Sequence, residues 1–152
     1  MRRLAALALL VLSAAPAHAV GTPDAPAGML KVQASIEAAR DGQRGITVRG
    51  ATNLPDGTRL LVVLVAPNGM VIAQDEKVVV AASAFRAGPF YFQGRVLPAG
   101  SYVVEVVSQV GAYQPAHVSA VLGPRGEHMT GPTVKADRQG RHLSMRQMVA
   151  VP

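Results

Sequence analysis

Turn-forming residues cut the stretch from Thr52 to Tyr102 into short apolar segments, and that spacing constrains the fold more than any other feature of the 152-residue chain. Asn53-Leu54-Pro55-Asp56-Gly57 gathers strong turn formers into one place, proline presetting φ and glycine supplying a positive one. Leu60 to Val65 is then apolar at every position. Pro67-Asn68-Gly69 turns the chain again, and its Asn-Gly pair favours a hairpin into Met70 to Gln74. Lys77 to Ala82, Phe85 to Phe92 and Ser101 to Gln109 follow as expected strands, with breaks at Gly88-Pro89 and Leu97-Pro98-Ala99-Gly100. A last strand is expected from His117 to Leu122. Short strands at this spacing, with turn signals between them, predict an all-β fold, an antiparallel β-sandwich of about seven strands.

Upstream, Leu30, Val32, Ala34 and Ile36 alternate with Lys31, Gln33, Ser35 and Glu37, the period of a half-buried strand. Ala34, Glu37, Ala38, Ala39 and Arg40 supply a competing helical reading. Asp41-Gly42-Gln43 is expected to turn the chain into a second strand, Gly45 to Ala51, with Ile46 and Val48 on one face.

Residues 1–19 carry Arg2 and Arg3, an apolar run from Leu4 to Leu12 and the small-residue ending Ala17-His18-Ala19, the order of a secretory signal cleaved after Ala19. The apolar run is shorter than the ~20 residues that span a bilayer, so no transmembrane segment is expected in the mature chain, which would be periplasmic or secreted. Residues 20–28, rich in proline, glycine and alanine, are expected to be a disordered leader. Removing the signal leaves 152 − 19 = 133 residues, enough for one domain. Two of fifteen basic residues leave with it, so the formal charge falls from +6 to 13 − 9 = +4. Such a bias serves solubility and carries no specific claim on an acidic partner. Cysteine is absent, which excludes both a disulfide framework and a lipidated N-terminal cysteine.

The sandwich is expected over residues 29–122, followed at 123–152 by a C-terminal arm, a β-hairpin with a short helix as the alternative. Thr133 to Ala136 and Leu143 to Val151 flank its turn-like Asp137-Arg138-Gln139-Gly140. Because a sandwich buries one face of each sheet, the uninterrupted run Leu60 to Val65 calls for a second cover. The arm, through Val134, Leu143, Met145 and Val149, is expected to provide it.

Leu97-Pro98-Ala99-Gly100-Ser101-Tyr102-Val103-Val104-Glu105-Val106 resembles the turn-and-strand motif of fibronectin type III, transthyretin-like and related immunoglobulin-like modules. The resemblance implies an immunoglobulin-like β-sandwich and makes Tyr102 a structural residue whose hydroxyl bonds back to nearby backbone; Pro55, Gly57 and Gly100 are structural through the turns they shape. The longer pattern over roughly residues 45–133 is similar to a group of exported bacterial proteins with immunoglobulin-like domains. It runs from Thr52-Asn53-Leu54-Pro55-Asp56-Gly57-Thr58 through Gln74-Asp75, the aromatic strand and Tyr102 to Leu122-Gly123-Pro124. The resemblance brings no activity with it.

Candidate chemistry is sparse. Phe85, Phe90, Tyr91 and Phe92 hold four of the six aromatic residues. Parity puts Phe90 and Phe92 on one face and Phe85 and Tyr91 on the other, so one pair is expected in the core. The exposed pair beside Arg86 and Arg95 would suit a protein or glycan contact, which makes Phe85, Arg86, Tyr91 and Arg95 the candidate binding set. Soft and imidazole ligands at His128, Met129 and His142 suit copper, although the spacing forms no ligand motif and methionine more often fills core gaps. Adjacent Asp75 and Glu76 point to opposite faces of a strand and read as a solvated turn. Glu105 falls outward between Val104 and Val106. No G-x-S-x-G, H-E-x-x-H or phosphate-cradling glycine loop is present, and an enzyme is not expected. No cofactor is called for. Nucleic-acid binding would need a basic stripe with stacking aromatics, which is missing. The expected function is therefore non-enzymatic protein–protein interaction in the cell envelope. The alternatives are a small-ligand or copper carrier and a carbohydrate-associated module.

Overall fold

The computed structural model describes residues 28–41 and 45–152. The signal, nearly all of the leader and the turn residues 42–44 lie outside the described residues. The elements, in order, are β1 (Leu30–Lys31), β2 (Ala34–Asp41), β3 (Gly45–Thr52), β4 (Arg59–Val65), β5 (Val71–Val79), β6 (Ala84–Phe90) and β7 (Gly100–Ser108). A 3₁₀ turn (Gly111–Tyr113) and a short helix α1 (Ala116–Leu122) follow, then β8 (Met129–Thr130), β9 (Val134–Ala136) and β10 (Arg141–Val151). Among the described residues no helix is long and apolar enough to cross a membrane.

The strands form an all-β antiparallel sandwich. A five-stranded sheet in the order β5-β4-β7-β10-β9 packs against a three-stranded sheet, β2-β3-β6, and a two-residue parallel pair joins β1 to β8. One core lies between the sheets. Ile46, Val48, Phe85, Ala87 and Phe90 face Leu60, Val62, Leu64, Tyr102, Val104, Val106, Leu143, Met145 and Val149 in a single cluster. Alternation produces this arrangement: in β4, Leu60, Val62 and Leu64 are fully buried while Leu61, Val63 and Val65 stay partly open on the other side.

The strong turns form where turn chemistry places them. Thr58 donates its backbone N–H (3.1 Å) and its hydroxyl (2.6 Å) to the Pro55 carbonyl, with Gly57 at φ +87°. A Cβ on Gly57 would stand 2.8 Å from the imidazole Nε2 of His117, which itself lies 2.9 Å from the Asp56 carbonyl. The turn is thus seated on α1. At Ala66–Met70, Gly69 N–H donates to the Ala66 carbonyl (2.9 Å) and the Asn68 side chain accepts from Met70 N–H (3.1 Å), closing the β4–β5 hairpin. Asn53 clamps the β1–β2 link, accepting from Gln33 N–H and donating to the Lys31 carbonyl, both at 2.8 Å.

Tyr102 is buried and donates its hydroxyl to the Pro98 carbonyl at 2.7 Å, closing the corner at Gly100 that opens β7. Tyr102→Phe is expected to lower stability by about 1 kcal/mol, the net worth of one buried hydrogen bond. Urea unfolding measures it, and an unchanged midpoint would mean that the corner needs no bond.

Four expectations are corrected. His117 to Leu122 is helix, not strand. Pro115 starts it, Gly123 (φ +81°) ends it with its N–H on the Ser119 carbonyl, and Val118 and Leu122, one turn apart, are its buried residues. Asp75 and Glu76 do not separate two strands. They lie within β5, where the register moves from Leu60↔Val78 to Val62↔Asp75, so that β5 gains one residue in a bulge.

In β6 the register runs from Val48↔Ala87 to Ile46↔Phe90, another extra residue that reverses the parity. Phe85 and Phe90 therefore face the same core, on either side of Gly88-Pro89. Finally, the C-terminal arm does not lie over β4. β10 pairs edge to edge with β7 from Ser144↔Val107 to Val151↔Gly100 and extends the sheet. Leu143, Met145 and Val149 fill the same core as Leu60, and Val134 packs at its margin. Past the short β9, β10 meets β2 through its Gln147 side chain, which accepts from Ala38 N–H at 2.9 Å.

Candidate functional site

With β10 inside the sheet, the outer face of the five strands has no second strand layer among the described residues, and its composition can be read row by row from the register. Val71, Val65, Val103 and Met148 form one wholly apolar row across β5, β4, β7 and β10. Val71 is 54% and Met148 76% exposed. The next row is Gln74, Val63, Glu105 and Arg146, in which Arg146 Nη2 lies 2.7 Å from Glu105 Oε1. Leu61, Val107 and Ser144 make the third. A half-buried strand in a two-layer sandwich ordinarily places polar side chains on its outer side. This face instead carries seven apolar side chains around one ion pair. Exposed pairs of that kind contribute at most about 1 kcal/mol to stability, so Glu105 and Arg146 mark the face chemically more than they hold it together.

Beyond the third row the face turns polar and becomes concave. Arg59 opens β4, Val107 and Ser108 close β7 with Gln109 just beyond, and the 3₁₀ turn and the β9–β10 loop rise on either side. Together they bound a cleft of about 480 Å³ lined by Arg59, Gln109, Tyr113, Asp137, Gln139 and His142 over Val107 and Val110. Buried Gln114 fixes one wall: its Oε1 accepts from Arg59 N–H (2.7 Å), and its Nε2 donates to the carbonyls of Arg59 (3.0 Å) and Gln109 (2.9 Å). Gly111 adds to that rigidity, since a Cβ there would run into the Gly123 carbonyl. Opposite, Asp137 Oδ1 accepts from the N–H groups of Gln139 (2.8 Å) and Gly140 (3.1 Å), and its Oδ2 stands 3.7 Å from His142 Nδ1. Arg125 reaches behind this loop to the Arg138 carbonyl at 2.9 Å.

The residues singled out from the sequence are scattered. Phe85 is in the core, 5% exposed, with its ring where a Cβ on Gly50 would have to go, and is withdrawn from the binding set. Arg86 is exposed opposite Arg49 on the outside of the smaller sheet. Tyr91, 40% exposed, and Arg95 share a shallow depression in the loop after β6, closed by a reciprocal backbone pair between Phe92 and Arg95. Met129 is wholly buried, the His128 ring rests its Nδ1 3.0 Å from the Val121 carbonyl, and His142 lies in the cleft. Among the described residues no three His, Asp or Glu side chains converge on a point that could hold a metal ion.

Sequence reasoning did not single out Arg59, Tyr113 or Asp137 as neighbours, because β9 and β10 were expected over the sheet and not beside β7. The signal that was present is the run Leu60 to Val65, which lacks an outward polar residue. Comparison with protein-family models, with curated proteins and with solved structures finds no match to this chain.

Proposed function

We propose that the chain is a non-enzymatic binding module of the cell envelope that holds another protein against the outer face of its five-stranded sheet. The observation that carries this is the apolar patch formed by Leu61, Val63, Val65, Val71, Val103, Val107 and Met148, of which Val71 and Met148 are exposed and the other five partly so. Contiguous exposed apolar surface with a polar rim marks interaction sites. The partner that fits is a protein with a flat apolar stripe and its own acid–base pair, set to place a carboxylate at Arg146 and a cation at Glu105. Charges so arranged select orientation more than they add affinity.

The test places a photo-crosslinking residue at Met148, and separately at Arg86 on the opposite sheet, in intact cells. A single dominant adduct from position 148, absent from position 86 and lost when Val71→Asp is added, supports the reading. A second copy of this chain in that adduct would make the face a homodimer interface. The same products from both positions, or none from 148, would sink it. Val71 is more than half exposed, so Val71→Asp is expected to leave the melting temperature within about 2 °C of the parent while removing the adduct.

A further inference from the structure

The cleft at the polar end of this face has the chemistry of a ligand site that the protein-binding reading does not use. We propose that it binds a neutral saccharide, with Tyr113 as the platform for a sugar ring. Its volume of about 480 Å³ lies within the range of small-molecule sites, about 300–1,000 Å³.

Tyr113 is 70% exposed, and its backbone is bonded on both sides. Its N–H donates to the Val110 carbonyl at 2.9 Å, the Gln114 beside it makes three side-chain bonds, and Gly111 is wedged against Gly123. An aromatic ring carried on a fixed backbone needs no loop ordering before it can stack on a flat apolar surface, and only its own rotamer has to be set.

The polar groups around the ring narrow the ligand. Arg59 has no carboxylate within ion-pair distance among the described residues, and its Nη1 lies 3.4 Å from the Tyr113 carbonyl. Asp137 is oriented by two backbone N–H groups, and Gln109 and Gln139 add amides that both donate and accept. The Arg59 guanidinium, the Asp137 carboxylate and the His142 imidazole beside that carboxylate face the same cleft, so an anion drawn by Arg59 is repelled by Asp137 and a cation drawn by Asp137 is repelled by Arg59. A neutral polyol satisfies both: its hydroxyls donate to Asp137 and accept from Arg59, and its C–H face lies on Tyr113. No single-charge ligand matches this set as well, and an apolar one would strand every polar group in it.

The experiment titrates the full chain with cellotriose, maltotriose and tri-N-acetylchitotriose, each to about 10 mM, following amide shifts by NMR. At least one trisaccharide is expected to bind, moving resonances of the Gly111–Gln114 and Asp137–His142 segments. Tyr113→Ala should weaken that binding about tenfold or more, and Tyr113→Phe should retain it. Both variants should melt with the parent, since the ring is mostly in water. Failure of all three sugars to shift those segments, or binding that Tyr113→Ala leaves unchanged, overturns the proposal. Val71→Asp should leave saccharide binding intact, so the loss of one activity is distinguishable from the loss of the other.

Discussion

A chain ending at Arg125 is expected to show no cooperative unfolding transition. Such a chain lacks β8, β9 and β10, and with them the buried side chains Met129, Leu143, Met145, Val149 and Val151. At about 1.5–3 kcal/mol for each buried side chain, the loss is roughly 10 kcal/mol, as large as the whole stability of an ordinary domain, about 5–15 kcal/mol. Two further losses act in the same direction. β7 becomes an open edge along its full length, and Leu30 and Val32, whose N–H groups donate to His128 and Thr130 at 2.7 Å, lose their anchor. Circular dichroism on heating decides the point. A sharp melt within a few degrees of the full chain's would mean that the first seven strands fold without the eleven residues of β10.

Gln114→Met, a change of similar shape, is expected to cost about 3 kcal/mol. The amide serves three main-chain groups, Arg59 N–H, the Arg59 carbonyl and the Gln109 carbonyl, at 2.7, 3.0 and 2.9 Å. Gln114 is only 8% exposed, so water reaches these groups poorly once the amide is gone. Each buried group left without a partner costs about 1–3 kcal/mol, and partial relaxation reduces the sum. Urea unfolding of Gln114→Met beside Gln139→Met provides the comparison. Exposed Gln139 should change stability by less than about 0.5 kcal/mol. Equal, small effects from both would show that the 3₁₀ turn is held by its backbone alone.

The strands that were legible from the sequence are those whose burial is one-sided and whose ends carry turn residues. β3, β4 and β7 fall within a residue or so of expectation because turn residues bound them and their inward residues, Ile46 and Val48, then Leu60, Val62 and Leu64, then Tyr102, Val104 and Val106, recur at every second position. The same alternation misled at Ala116–Leu122, where Val118 and Leu122 also fit a helical turn and Pro115 was the discriminating residue. It misled again at Phe85, because one extra residue in β6 reverses every side chain beyond it, and no local pattern announces a bulge. The arm was recognised as strand-forming, but whether a strand lies on a sheet or joins its edge depends on a partner distant in sequence. Met145 at β10 meets Val106 at β7, and nothing in either segment alone records that pairing. The cleft was invisible for the same reason, since Arg59, Tyr113 and Asp137 come together only once β10 lies beside β7.

The place of β10 also sets the order in which the molecule can come into being. β10, the last strand among the described residues, stands second from the end of the larger sheet, between β7 and β9, and its inward side chains complete the core. While residues 141–151 are still within the ribosome, Leu60 to Val65 and Tyr102 to Val107 are already outside with no finished interior to enter. Long-range strand pairing is slow to form and leaves apolar segments exposed meanwhile. Those apolar strands therefore lack their finished core until Val151 has emerged, a window in which a holding factor can act before the fold closes.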